Sequence, residues 1–321
     1  MTGTNLTTSE MKDTTNTASA LGSGDPVGSS GPRHIRRSTS GTSWSVIDPA
    51  APQAATTLVK RFTVRFTRFL MRNPTALKRL TSFEEASVSG LPKLIRIAME
   101  AGQLTMLAEG INGEPLDEAI AKRRVGTDPA IAINIILDLA EGLIAMHAGG
   151  LVHGDIRTAT ITVDPEAGHA QFADWGHVVP FGGDDRDDVG PKAFDAESIP
   201  IEEASLRPAD DVYGLACVAY ELLSGRHPYW HRTDAEAKEF GLGPVPLVNV
   251  DDVTNDALMQ ALVRSTDARY ISMQGFADVL KADSPRRDRM ALASPRRSRL
   301  GKSRPLTAIT GTVMGVASAF E

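Results

Sequence analysis

Apolar positions recur at helical spacing between Asp128 and Gly149: Ile133, Ile136, Leu137, Ala140, Leu143, Ile144 and Met146. Asp128-Pro129 supplies an N-cap followed by a first helical residue whose missing N–H leaves no bond unmade. Gly149-Gly150 supplies the stop, so the pattern predicts a buried helix over 129–148. Downstream, two short β-branched runs, 160–163 and 170–173, flank the turn-like Asp164-Pro165-Glu166-Ala167-Gly168. Alternation broken by such a turn predicts a hairpin of strands. His153-Gly154-Asp155 precedes it and Asp174-Trp175-Gly176 follows, so one carboxylate stands at each end. Upstream, Leu80, Glu84 and Val88 lie one turn apart, which predicts a shorter helix over 75–89 with Glu84 on its inward face.

The bulk composition fits one globular module: 41% hydrophobic and 23% charged residues, with a net charge of −6 that argues against a general nucleic-acid-binding role. The single cysteine, Cys217, sits among apolar residues, so no intramolecular disulfide forms, which suits a reducing cytoplasm. Met1 opens no apolar signal-peptide core, and the expectation is a cytoplasmic protein. Residues 1–30 hold 12 Ser or Thr and four Gly, too few apolar groups to offset ordering entropy, which predicts a disordered tail over 1–36. From 284 to 305 the chain turns basic: Arg286, Arg287, Arg289, Arg296, Arg297, Arg299, Lys302 and Arg304 face one acid, Asp288. The stretch 286–304 suits an anionic membrane surface better than a specific nucleic acid. Residues 306–320 are uncharged and fewer than the ~20 needed to span a bilayer. They read as a peripheral membrane anchor or as a docked or disordered tail.

Two aspartates delivered to one cleft suit phosphoryl transfer: one accepts a proton from a hydroxyl nucleophile, the other holds the Mg²⁺ that bridges the phosphates. Here residues 151–176 resemble the catalytic loop and metal loop of eukaryotic-type Ser/Thr protein kinases. The likeness extends to 211–228, similar to the anchoring helix of that family's larger lobe, and to 266–280, similar to its closing segment with Arg269. Residues 104–116 resemble the strand, hinge and linker between lobes, and 57–60 resemble the strand bearing the phosphate-anchoring Lys. The resemblance implies an α+β fold of two lobes, a β-rich one over 37–111 and a helical one over 112–283. It implies ATP and Mg²⁺ as cofactors and a protein as substrate or partner. Asp155 becomes the catalytic base with Arg157 beside the transferred phosphate, and Asp174 and Thr160 become the metal ligands. Lys60, paired with Glu84 or Glu85, together with Gly41, Val46, Leu58, Glu109 and Ile111, becomes the nucleotide site. His153 is expected to pack on Trp175. Asp211 is expected to hold the catalytic-loop backbone, whereas Asp174, kept for a ligand, should be nearly neutral for stability.

The same resemblance marks departures. Counted back from Val46, the Gly-x-Gly-x-x-Gly-x-Val pattern falls on Thr39, Gly41 and Trp44, so only the middle glycine stands. Side chains there obstruct the approach of backbone amides to phosphates. Leu58 replaces an Ala beside the adenine, Thr162 a larger aliphatic below it, and Thr160 an Asn metal ligand. Gly154 stands where an Arg reads an activation-loop phosphate, and residues 175–197 contain no Ser, Thr or Tyr. These changes predict weak binding of ATP and Mg²⁺. The reading is a pseudokinase acting as a regulatory or binding module, with an active Ser/Thr kinase as the alternative.

Overall fold

A computed structural model describes residues 33–38, 40–46, 56–84, 86–125, 128–181, 206–230, 239–248, 250–263 and 272–282. The expectations for the Ser/Thr/Gly-rich tail, Thr39, Glu85, Arg269, the basic stretch and 306–320 lie outside those residues.

The N-terminal lobe is a five-stranded antiparallel sheet in the order β1-β2-β3-β5-β4. Its strands are β1 (Arg33–Arg37), β2 (Gly41–Val46), β3 (Thr56–Phe62), β4 (Lys93–Glu100) and β5 (Gln103–Gly110). The first described strand starts at Arg33. Ser43 pairs with Lys60 and Ser45 with Leu58, so these four side chains share one face. Trp44 and Val46 point the other way and pack with Val59 and Leu107. Period-2 alternation thus puts Trp44, Val46, Val59 and Leu107 on the outer face, and Ser43, Ser45 and Lys60, with the apolar Leu58, Phe62 and Met106, on the face toward the cleft.

Between β3 and β4 the structure has two short helices where one over 75–89 was expected. Thr63 caps α1 (Val64–Arg72) by accepting from the N–H of Phe66, and Asn73 caps α2 (Pro74–Thr81) by accepting from that of Ala76. Phe66 and Leu70 on α1 and Ala76 and Leu80 on α2 are buried, while Arg65, Arg68 and Arg72 face outward. An Asn-Pro pair at the junction both caps the second helix and ends the first. The second helix stops at Thr81, so Glu84 leaves the helical face that was to turn it inward.

The C-terminal lobe follows β6 (Glu114–Pro115) and α3 (Leu116–Ala121). Its central helix is α4 (Pro129–Ala148), capped by Asp128 as expected and closed by the Gly149 N–H on the Ala145 carbonyl. This helix is apolar and long enough to cross a membrane, yet most of it is buried inside the protein. After β7 (Leu151–Val152) and a 3-10 turn at Thr158–Thr160 comes the expected hairpin, β8 (Ile161–Asp164) and β9 (His169–Phe172). Then follow β10 (Val179–Pro180), which pairs with β7, and the helices α5 (Pro208–Ser224), α6 (Asp252–Ala261) and α7 (Met273–Ala282). One contiguous core spans both lobes and includes Phe62, Leu104 and Met106 from the sheet and Leu143, Phe172 and Leu215 from the helical side.

Candidate functional site

The catalytic-loop backbone is fixed from below. Asp211, in the first turn of α5, accepts from the N–H of His153 at 2.9 Å and that of Gly154 at 2.8 Å. A carboxylate there also meets the positive end of the helix. His147 adds a third contact, with Nε2 2.8 Å from the same carboxylate. The Thr160 hydroxyl shares its one proton between the carbonyls of Asp155, at 2.8 Å, and Arg157, at 2.9 Å, and accepts from the Arg157 N–H, which ties the loop to itself. Thr160 is buried in these backbone bonds. Asp155 is half-buried, and the exposed Arg157 turns back to it, Nε to carboxylate at 3.0 Å.

Asp174 joins the two lobes at the site. It is buried, accepts from the Ser43 hydroxyl and the Gly176 N–H, and lies 3.3 Å from the Lys60 ammonium. Lys60, also buried, donates in addition to the Gly176 carbonyl. Burial works against the charged carboxylate, but Lys60, Ser43, His153 and the Gly176 N–H outweigh it and hold Asp174 well below the ordinary carboxylate range. The expectation that Asp174 is held only for a ligand is therefore corrected: the carboxylate compensates a buried ammonium. Beside it His177 is buried, with Nδ1 3.0 Å from the Ser40 hydroxyl, and burial pulls its imidazole down to about 4.

Several expected placements change. Glu84 is exposed and accepts from the Ile97 N–H at 3.1 Å, so it does not face inward. Val46 lies on the outer face of the sheet. Gly41 is required because a Cβ there would come within 2.3 Å of the Arg61 carbonyl oxygen on β3, a close approach of two strands. The face that Lys60 shares carries Ser43 and Ser45, each one residue before Trp44 and Val46 on the outer face. His153 meets Phe172, ring centroids 4.4 Å apart, while Trp175 packs edge-on against Phe83 and donates to the Pro92 carbonyl.

Leu58 and Ile111 do line a common groove between the lobes, with Gly110, Thr162 and Gln171. Glu109 is exposed beside it on β5. Arg36, from β1, crosses this groove and donates from Nε to the Ala159 carbonyl at 2.7 Å. Neither Arg36 nor Gln171 was anticipated: Arg36 precedes the matching segments, and Gln171, although within 151–176, finds its partners at Ile111 and Leu91, far along the chain. The residues that would hold Mg·ATP are engaged within the protein in this structure: the Asp174 carboxylate by Lys60 and Ser43, and the Thr160 hydroxyl by backbone.

A family model described as the protein kinase domain matches residues 59–261. The match opens at the Lys60 strand, after the serine-bearing hairpin. The serine/threonine-protein kinase PknA of Mycobacterium tuberculosis is 26% identical over 269 residues, covering 81% of this chain and 59% of that protein. PkaB of Streptomyces coelicolor, likewise named a serine/threonine-protein kinase, is 27% identical over 251 residues, covering 73% of this chain and 58% of its own length. The chain thus spans less than two thirds of these relatives. Among solved structures, the Mycobacterium tuberculosis PknI kinase domain aligns with a TM-score of 0.53 at 19% identity, covering 82% of this chain and 98% of that one. That likeness speaks for the fold.

Proposed function

The chain belongs to the protein kinase family, beside its bacterial Ser/Thr members, and on that premise we propose that it is a pseudokinase. It acts by binding a protein partner, with little or no phosphoryl transfer. The observation that carries this reading is the joint engagement of Asp174 by the Ser43 hydroxyl and the Lys60 ammonium. A metal ion would have to displace both from a buried carboxylate and leave the ammonium without its counter-charge.

The test is thermal melting of the purified protein with and without millimolar Mg·ATP. Ligand at a hundredfold excess over Kd stabilises by about 2.7 kcal/mol, which is several degrees for a domain of this size. The expected shift is none. A shift of several degrees that Lys60→Ala removes would overturn the proposal.

The second reading, an active Ser/Thr kinase, draws support from the backbone bonds of Asp211, which keep Asp155 at the cleft. Transfer of label from γ-³²P-ATP to protein, abolished by Asp155→Asn, would favour it.

A further inference from the structure

The groove between Leu58 and Thr162, where the resemblance puts the nucleotide base, is lined in part by Leu58, Ile111, Pro115 and Phe172, and the Ile111 N–H is a backbone donor on its wall. That donor is already satisfied. Gln171, on β9 opposite Thr162, accepts from the Ile111 N–H with Oε1 at 2.9 Å and donates from Nε2 to the Leu91 carbonyl at 2.6 Å. The two partners fix the orientation of the amide between them: a backbone N–H demands the oxygen and a backbone C=O demands the nitrogen. Gln171 is half-buried, and rotating it away would strand two backbone groups at once.

We propose that Gln171 is a built-in occupant of the base slot, closing it to adenine and other flat bases by taking the Ile111 N–H. The inference deepens the pseudokinase reading and rests on it, because it adds an obstruction at the base end independent of the one at Asp174. A base with a ring nitrogen acceptor can bind only after replacing an internal bond, so its apparent affinity falls by the fraction of molecules with Gln171 displaced.

Adenosine is the probe, since it has no phosphates and reports on the base end alone. In ¹⁵N-labelled full-length protein, the Ile111 amide resonance should be unmoved by millimolar adenosine and its hydrogen exchange slow. In Gln171→Val, and in Gln171→Ala, adenosine should move that resonance saturably, with affinity at least tenfold above wild type. Variants that keep the wild-type circular dichroism yet bind no adenosine would overturn the proposal, as would wild-type protein that binds adenosine at Ile111. If neither variant folds, the wild-type amide still decides: fast exchange at Ile111 would show that Gln171 does not hold it. Stabilisation of the wild type by Mg·ATP would sink the pseudokinase reading instead, whereas inert wild type with inert, folded Gln171 variants would sink this inference alone.

Discussion

A carboxylate and an ammonium buried together are stable only as a pair, and Asp174 with Lys60 is such a pair. Asp174→Ala would leave the ammonium buried without its counter-charge, at a cost of about 3–5 kcal/mol, so the variant should melt roughly ten degrees below wild type at pH 7. The folded carboxylate titrates below its unfolded value of about 3.9. Its contribution is therefore complete above that value and is lost as pH falls through the lower folded one. Melting curves of both proteins from pH 7 to pH 3 check this: the gap should hold down to about pH 4 and narrow below it. Equal melting at neutral pH would mean that the pair adds nothing. Lys60, Asp155, Asp174 and Asp211 could be read from the chain because each sits inside several matching neighbours. Ser43, Gln171 and Arg36 could not, since a serine, a glutamine or an arginine on a strand gains meaning only from what the next lobe brings opposite it.

At the scale of elements, legibility followed the strength of local signals. The Asp-Pro cap and Gly-Gly stop placed α4, and the Asp164–Gly168 turn placed the hairpin, because each signal acts within its own neighbourhood. The helices between β3 and β4 were harder: Phe66 and Leu70 continue a basic, alternating stretch that offers no clear start, and Asn73-Pro74 divides what one period seemed to join. The loop after α2 is fixed by a contact no local pattern shows. Gly90 has φ +76°, and a Cβ there would lie 2.1 Å from the Asp138 carbonyl oxygen on α4. Gly225 closes α5 with a similar φ of +72° but has nothing within 4 Å of that position. Alanine at 225 meets only the left-handed backbone penalty of about 1–2 kcal/mol. At 90 it adds a backbone clash of about 1–3 kcal/mol more. Gly90→Ala should therefore melt several degrees below Gly225→Ala, and a reversed order in chemical denaturation would contradict the packing described for that loop.

For the molecule as a whole, the two lobes are fastened at separate places. Arg36 reaches Ala159, Ser43 and Lys60 reach Asp174, and Ser40 reaches His177. From the helical side of the sheet, Arg79 on α2 donates to the carbonyls of Gly150 and Phe181, both at 2.9 Å. With a shared core beneath them, the lobes should open together. Amides of β2 and β3 should then exchange hydrogen with the same opening free energy as those of β8 and β9. In the double variant Arg36→Ala/Arg79→Ala the sheet should exchange faster while the hairpin does not change. Independent opening of the lobes in wild type would rule out such fastening. Arg79 carries a further consequence. Phe181 follows the strand Val179–Pro180 that leaves the Asp174 loop, so one guanidinium couples that strand to α2, and a load on the outer side of α2 should reach the Asp174 side of the cleft without passing through the sheet.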